Sequence, residues 1–236
     1  HTLALGASAA AAWMSASSIA WYSLAIGEGA LATTPTSDAA QYNTAVGMLN
    51  PLFANTTGTF NSAFGAQALK SNTTGSYNTA SGVNALLSNT TGSNNTANGV
   101  RALQSNTTGT QNTASGMHAL LSNTAGNYNT ANGKNALQHN ISPTSTVAVA
   151  YAAAQSTVFY SNQGGTYIGY QSGYNAATGS DYNTLLGFQS GFGITTGARN
   201  VLLGPSTIAA SYNQVTTGSN NIAIGNDVAV PSATAS

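Results

Sequence analysis

Residues 78–94 read Asn-Thr-Ala-Ser-Gly-Val-Asn-Ala-Leu-Leu-Ser-Asn-Thr-Thr-Gly-Ser-Asn, and residues 95–111 read Asn-Thr-Ala-Asn-Gly-Val-Arg-Ala-Leu-Gln-Ser-Asn-Thr-Thr-Gly-Thr-Gln. The second segment repeats the first without insertion or deletion, so Asn95 corresponds to Asn78. Each contains the same three elements in the same order: Asn-Thr-Ala-x-Gly, an Ala-Leu pair, and the turn-like Ser-Asn-Thr-Thr-Gly. Self-similarity at a fixed period is typical of repeat architectures, so the fold depends on how one unit folds and stacks on the next.

The repeat extends over the whole sequence. The Asn-Thr-Ala-x-Gly element begins at Asn43, Asn78, Asn95, Asn112 and Asn129, with a Ser variant at Asn61, and from Asn61 onwards these copies follow one another at the same period. More divergent copies, at the same or a slightly longer spacing, lie at Thr2–Gly6, Ser23–Gly27, Thr146–Ala150, Gly165–Gly169, Asn183–Gly187, Asn200–Gly204 and Asn221–Gly225. Residues 1–236 therefore contain thirteen units, which we interpret as one repeat domain and as a segment of a longer chain.

The unit predicts strands and turns. Its period is too short for a two-helix repeat, and its Gly, Asn and Thr disfavour helix. Side chains alternate in a strand, so the Ala of Asn-Thr-Ala-x-Gly faces one side and its two neighbours face the other. We predict an all-β, parallel β-roll or β-solenoid of about thirteen 17–21-residue coils, each with two short strands, one at Asn-Thr-Ala-x-Gly and one at Ala-Leu. The first Asn of each unit forms a structural ladder at Asn78, Asn95, Asn112 and Asn129.

The composition argues against an enzyme. Only 3 % of the residues are charged, with Lys+Arg 4 and Asp+Glu 4, whereas an ordinary soluble domain has about 25 %. The net charge is zero, which offers no basic surface to nucleic acid, and the absence of Cys excludes disulfides and thiolate metal sites. We therefore predict no catalytic residue, no metal site and no cofactor.

Individual polar residues do not change this interpretation. The acids Glu28, Asp38, Asp181 and Asp227 lie in different units and do not pair as the two carboxyl groups of a glycosidase would. A glycan-degrading site assembled between chains stays a minor alternative. His118 and His139 occupy different positions of the repeat, which is typical of variable solvated residues rather than of a metal site.

Aromatic residues cluster in two adjacent units. Tyr170 and Tyr174 precede Phe188 and Phe192 by one coil, and Tyr167 lies in the same cluster. The simplest interpretation is an aromatic ladder that stabilises the stack of coils. The functional alternative is a glycan-binding surface formed by Tyr167, Tyr170, Tyr174, Phe188 and Phe192, because flat rings stack on the apolar faces of sugars.

Two features predict assembly with other chains. The central coils have little apolar material beyond one Ala per strand and the Ala-Leu pair, which is a thin core for a single chain. The alternating positions of the strand are apolar in the outer coils, as in Leu24 and Ile26, but polar in the central coils, as in Thr96 and Asn98. Burial of each Ala-Leu strand against a neighbouring chain would complete the core, so we expect an obligate oligomer.

The repeats resemble those of two families of fibrous proteins. Ser23-Leu-Ala-Ile-Gly27 and Asn221-Ile-Ala-Ile-Gly225 resemble head repeats of trimeric autotransporter adhesins, and the unit Asn-Thr-Ala-x-Gly…Ala-Leu-x-Ser-Asn-Thr-Thr-Gly is similar to repeats of bacteriophage tail fibres. The resemblance implies a left-handed parallel β-roll in which three chains pack side by side. It also implies an extracellular location on a virion tail or a bacterial surface, with other tail or fibre proteins and a host-surface glycan or protein as partners.

Two further sequence patterns bear on function and location. The regular column Thr79, Thr96, Thr113 and Thr130 is compatible with an ice-binding β-solenoid, a function of another class. Residues 3–25 are apolar, but serines and a glycine interrupt them and no basic residue precedes them, so we do not expect a membrane-spanning segment.

Overall fold

The computed structural model describes residues 3–10, 22–33, 40–206 and 217–226. The chain divides into two compact units that each contain several repeats, His1–Met117 and His118–Ser236, which we call the first unit and the second unit. The C-terminal residues 227–236, which include Asp227, and the region around Asp38 lie outside the described residues.

Every predicted Asn-Thr-Ala-x-Gly segment forms one short strand. The first unit contains β1 (Leu3–Leu5), β2 (Leu24–Ile26), β3 (Thr44–Val46), β4 (Ser62–Phe64), β5 (Thr79–Ser81), β6 (Thr96–Asn98) and β7 (Thr113–Ser115). The second contains β8 (Thr130–Asn132), β9 (Val147–Val149), β10 (Thr166–Ile168), β11 (Thr184–Leu186), β12 (Val201–Leu203) and β13 (Ile222–Ile224). Within each unit, consecutive strands pair in parallel and in register, so Ala80 lies beside Ala97, for example. The fold is an all-β, parallel β-solenoid, as the repeat predicts, and no helix occurs among the described residues.

Glycine ends the strand because adjacent coils approach closely there. Gly82 has a φ of 138°, and a Cβ placed on it would lie 2.5 Å from the carbonyl oxygen of Gly99 in the next coil. A side chain at this point would force the coils apart. The coil of β9 has Ala150 at this position, with a φ of 117°, which is a strained conformation for a residue other than glycine.

The predicted second strand is wrong, because the Ala-Leu segment forms a turn. Asn84 and Leu86 have φ values of 60° and 51°, and the residue between them keeps a negative φ. The N–H groups of Asn84 and Leu86 bond to opposite neighbours in the stack, while the N–H of Ala85 between them bonds to Gly82 O within the same coil. Asn84 N donates to Ala66 O in the preceding coil at 2.9 Å, whereas Leu86 N donates to Ala102 O in the following coil at 3.0 Å. The turn is therefore bonded on both sides without being a strand.

The core of the central coils is closed within one chain. Ala80, Ala85 and Leu86 are fully buried, and the equivalent residues of neighbouring coils are buried as well. The prediction that the Ala-Leu pairs need a second chain to bury them is therefore wrong. The remaining volume of the core is filled by asparagine, which the thin apolar content of the repeat does not reveal.

Two buried columns of asparagine run along the stack. The entry column contains the buried Asn that precedes most strands: Asn43, Asn61, Asn78, Asn95 and Asn112 in the first unit, and Asn129, Asn183 and Asn200 in the second. The turn column contains the Asn of Ser-Asn-Thr-Thr-Gly and of the equivalent segments: Asn55, Asn72, Asn89 and Asn106 in the first unit, and Asn123 and Asn140 in the second. A buried amide is costly unless it is hydrogen bonded, so both columns depend on their bonding pattern.

The bonding pattern satisfies the amides and links the coils. In the entry column, the backbone N and the side-chain Nδ2 of Asn78 donate to Oδ1 of Asn61 at 3.0 and 3.1 Å, and the Nδ2 of Asn78 also donates to Gly92 O at 2.9 Å. In the turn column, Nδ2 of Asn89 donates to Oδ1 of Asn72 at 2.7 Å and to Gly92 O at 2.9 Å. These coils are thus bonded to one another through their interior as well as through the sheet.

One coil of the second unit fills its core differently. Tyr167 occupies the strand position that is Ala in most coils, and it is fully buried. A Cβ on Gly165, in the entry column, would collide with the Tyr167 ring, and a Cβ on Gly173, at the usual Leu position, would lie 2.5 Å from it. The ring therefore occupies the space that an Asn and a Leu side chain fill elsewhere, and both glycines are required by its size.

Candidate functional site

The first and third residues of each strand form a solvent-facing surface, which we call the outer face. In the first unit, its polar part comprises β5 to β7, where Thr79, Thr96 and Thr113 are exposed while the Ala between each pair of outer residues is buried. Its apolar part consists of the third residues of β1 to β4 and the first residues of β1 and β2, and within it Leu3 is 55 % and Phe64 is 44 % exposed. One face of the same sheet therefore changes from apolar to polar.

The outer face of the second unit has the same two kinds of surface. At β8 it is polar, with Thr130 and Asn132 exposed. From β9 onwards the third residue of every strand is apolar, with Leu186 and Ile224 exposed, whereas the first residue is Thr at β10 and β11. A contiguous exposed apolar surface is unusual for a soluble monomer and marks an interaction surface. The outer face is the strongest candidate for a functional surface in both units.

The candidate glycan-binding aromatics fall into two stacked pairs and one buried residue. The rings of Tyr170 and Phe188 are 5.2 Å apart and those of Tyr174 and Phe192 are 5.1 Å apart, both nearly parallel. Tyr151, one coil earlier, stacks on the other side of Tyr170 at 5.3 Å. Both faces of the Tyr170 ring are therefore covered by other rings. A sugar that approaches this column meets ring edges, whereas stacking on a sugar requires a ring face.

Tyr167 does not belong to an exposed surface, and its place among the glycan-binding candidates is corrected. Its hydroxyl accepts a hydrogen bond from Asn162 Nδ2 at 2.9 Å and donates to Ser180 O at 3.2 Å. Burial raises the pKa of the Tyr167 phenol, and it raises the pKa of the neighbouring buried Tyr160 as well. Both hydroxyls are structural groups of the core.

The first unit contains an aromatic column that the sequence analysis missed. Tyr22, Tyr42, Phe60 and Tyr77 stack in order, with ring centroids 5.4, 4.8 and 5.0 Å apart, and all four are about half exposed. The signal was present in the sequence, because each ring immediately precedes the first residue of a repeat element: Ser23, Asn43, Asn61 and Asn78. The rings are therefore spaced along the chain as the repeat elements are.

The His, Asp and Glu side chains of the described residues do not form a cluster. No group of three or more His, Asp or Glu side chains that could hold a metal ion occurs in residues 3–10, 22–33, 40–206 and 217–226. Asp181 accepts a hydrogen bond from the backbone N of Gln163 at 2.9 Å, and His139 Nδ1 lies 2.8 Å from Ser156 O, so both have local structural partners. A cavity beside Ser190 and Leu202 measures about 10 Å³, which is room for one water molecule at most.

The apolar segment 3–25 includes β1 and the start of β2. Among the residues that the structure describes, no helix is long and apolar enough to cross a membrane.

Comparison of the chain with protein-family models, with curated proteins and with solved structures found no match. The proposal for function therefore depends on the geometry of the outer face and on the repeat itself.

Proposed function

We propose that this chain is a structural segment of an extracellular fibre, that it assembles as a homotrimer through the outer faces of its sheets, and that it positions or provides a host-surface-binding element. A phage tail fibre is the form of this function that the repeat resembles most, and a trimeric autotransporter adhesin head is the alternative. In this proposal other tail or fibre proteins are its structural partners, and a host-surface glycan or protein is its target.

The observation that carries the proposal is the exposed apolar part of the outer face. Side chains such as Phe64 and Ile224 are 44 % and 69 % exposed in a single chain. They project from short strands that pair in register, so they form continuous apolar columns rather than scattered residues. Burial of such columns against equivalent columns of other chains removes apolar area from water at about 25 cal/mol per Å².

The chemistry of the coil also supports a structural role. The interior of the described coils is filled by Ala, Leu and two asparagine columns. Stacked coils place equivalent side chains about 4.8 Å apart, where like charges repel, so a low-charge sequence is the expected one for a long stack.

The mass of the protein in solution tests the proposed assembly. We expect analytical ultracentrifugation to give three times the chain mass of 23.6 kDa. Replacement of Phe64 and Ile224 together by Ser, the residue that the repeat itself uses at the equivalent position 81, should dissociate the trimer. The monomer should keep its circular dichroism spectrum, because both side chains are exposed in the single chain.

A matched control distinguishes the loss of an apolar side chain on the outer face from the loss of an exposed apolar side chain elsewhere. Val83 is 47 % exposed but follows the strand and lies outside the outer face, so Val83→Ser should leave the trimer intact. A folded wild-type monomer would overturn the proposed assembly. A trimer that resists the Phe64/Ile224 substitutions would show that the chains meet through another surface.

A second candidate function is ice binding, and it is favoured by one observation. Thr79, Thr96 and Thr113 face solvent on three consecutive strands, with the buried Ala in between. This gives a regular outward column of hydroxyl and methyl groups at the strand spacing of about 4.8 Å. The column is part of the outer face, so ice binding requires that part to be free of a neighbouring chain.

Thermal hysteresis measures this alternative directly. If the Thr column binds ice, Thr96→Lys should abolish the hysteresis, whereas Thr91→Lys, at an exposed Thr of the turn segment, should not. An absence of hysteresis in the wild-type protein would remove ice binding from consideration and would leave the proposed assembly unaffected.

A further inference from the structure

Two tyrosine pairs connect adjacent coils, and the two rings of each pair stack on each other. Tyr22 and Tyr42 in the first unit have ring centroids 5.4 Å apart and an interplanar angle of 3°. Tyr151 and Tyr170 in the second unit have centroids 5.3 Å apart and an angle of 14°. The described residues contain no other stacked tyrosine pair.

Both pairs are accessible to a reagent in solution. The exposed fractions are 57 % for Tyr22, 46 % for Tyr42, 40 % for Tyr151 and 43 % for Tyr170. The stacking holds the two rings of each pair together in the native state, so a reactive species formed on one ring meets its neighbour before it meets another molecule.

We propose that Tyr22–Tyr42 and Tyr151–Tyr170 are sites of oxidative dityrosine cross-linking. A peroxide-dependent oxidant removes one electron and the phenolic proton from each ring, which gives two phenoxyl radicals. The radicals join through a new bond between ortho carbons, and each ring then moves its ortho hydrogen to the phenol oxygen to restore aromaticity. The pair loses two hydrogen atoms in total, and hydrogen peroxide is reduced to two molecules of water.

The cross-link would act as a covalent staple between coils. The chain has no Cys and therefore no disulfide to serve this purpose. A bond between Tyr22 and Tyr42 closes a loop that spans one coil, and so does a bond between Tyr151 and Tyr170. Closing such loops restricts the unfolded chain, as a disulfide does, so the cross-linked protein should melt at a higher temperature.

The other tyrosines provide internal controls. Tyr77 stacks on Phe60, Tyr174 stacks on Phe192, and Tyr182 lies near Arg199, so none of the three has a tyrosine ring as its stacked neighbour. Tyr160 and Tyr167 are buried, which keeps them from an oxidant in solution. A reaction governed by pairing therefore differs from one governed by exposure alone, because exposure alone would also select Tyr77 and Tyr182.

The test is oxidation of the folded protein at low concentration with a peroxidase and hydrogen peroxide. We expect dityrosine fluorescence, a loss of two hydrogen atoms per cross-link by mass spectrometry, and peptides that join Tyr22 to Tyr42 and Tyr151 to Tyr170. The product should migrate as a single chain on a denaturing gel, and the yield should not depend on protein concentration. Its thermal unfolding midpoint should rise by several degrees.

Two variants make the test specific. Tyr42→Phe keeps a ring in the stack but removes the phenol, so it should abolish the Tyr22–Tyr42 cross-link and leave the other intact, and Tyr170→Phe should do the reverse. Tyr77→Phe, in the same column, should change neither. Absence of dityrosine, or cross-links that follow exposure and join separate chains at Tyr77 or Tyr182, would overturn the proposal. None of these outcomes depends on whether the protein forms a fibre.

Discussion

Asparagine, a residue that is ordinarily exposed, forms two of the buried columns of this fold. Asn-rich sequences predict turns, and the repeat does place its Asn residues beside turns. Their burial could not be derived from the sequence, because it depends on an adjacent coil that places an amide oxygen within hydrogen-bonding distance. The same holds for Leu86, since a bulky residue with positive φ is disfavoured and occurs here because its N–H is bonded to the following coil.

Removal of one buried amide should be costly. Asn89→Ala deletes the bonds of Nδ2 to Asn72 and to Gly92, and it leaves Nδ2 of Asn106 without its 2.7 Å acceptor. We expect a loss of about 2–4 kcal/mol in the free energy of unfolding, measured by chemical denaturation. Asn98→Ala, at an exposed position of β6, should cost less than about 0.5 kcal/mol. Equal effects at the two positions would contradict the proposed role of the turn column.

Restoring the missing glycine should stabilise the protein. Ala150 has a φ of 117°, at a position where most coils have glycine. Ala150→Gly removes strain of about 1–3 kcal/mol, partly offset by an entropic cost of about 0.5–1 kcal/mol, so the net effect should be a stabilisation of about 1 kcal/mol. The control Ala148→Gly, in the buried centre of β9, should destabilise. Calorimetry or chemical denaturation of the two variants gives the sign, and a destabilised Ala150→Gly protein would argue against strain at this position.

The strand of each coil was predictable from the sequence, whereas the turn formed by the Ala-Leu segment was not. Residue pattern places Thr79–Ser81 in a strand because Ala alternates with polar residues and Gly follows. The Ala-Leu segment also has a strand-like residue pattern. Its positive φ values accompany hydrogen bonds to two neighbouring coils, so they cannot be predicted from the sequence of one repeat. The burial of Tyr167, a residue of the alternative glycan-binding surface, is not predictable for a similar reason, since it depends on Gly165 and Gly173, which leave room for the ring only once the coil has closed.

The coil of Tyr167 should be convertible to the common type. Tyr167→Ala alone leaves a cavity and should cost about 3–5 kcal/mol. The addition of Gly165→Asn and Gly173→Leu recreates the Asn, Ala and Leu of the other coils, so it should recover most of that loss. The same two substitutions in the presence of Tyr167 should be strongly destabilising, because their Cβ atoms would collide with the ring. Additive effects of the three substitutions in chemical denaturation would contradict this packing.

For the whole molecule, periodicity predicts the architecture, whereas function requires surfaces that no single repeat encodes. The strand positions and the parallel order follow from the period, as the register of β5 and β6 illustrates. The change of the outer face from apolar to polar is visible in the sequence too. The sequence does not show that this face points to solvent, because that depends on the coil closing over the opposite face of the strand. The aromatic column of the first unit was overlooked because its members are separated by repeats of unequal length.

If one repeat is one coil, two deletions within the first unit should have opposite effects on folding. Deletion of residues 95–111 removes one complete repeat and places β5 beside β7 with every column in phase. We predict that this variant keeps the circular dichroism spectrum of the parent and a cooperative unfolding transition. Deletion of residues 95–102 shifts the asparagine columns out of phase by half a coil, and it should abolish cooperative unfolding. If both deletions unfold alike, the account of the fold as a stack of equivalent coils is wrong.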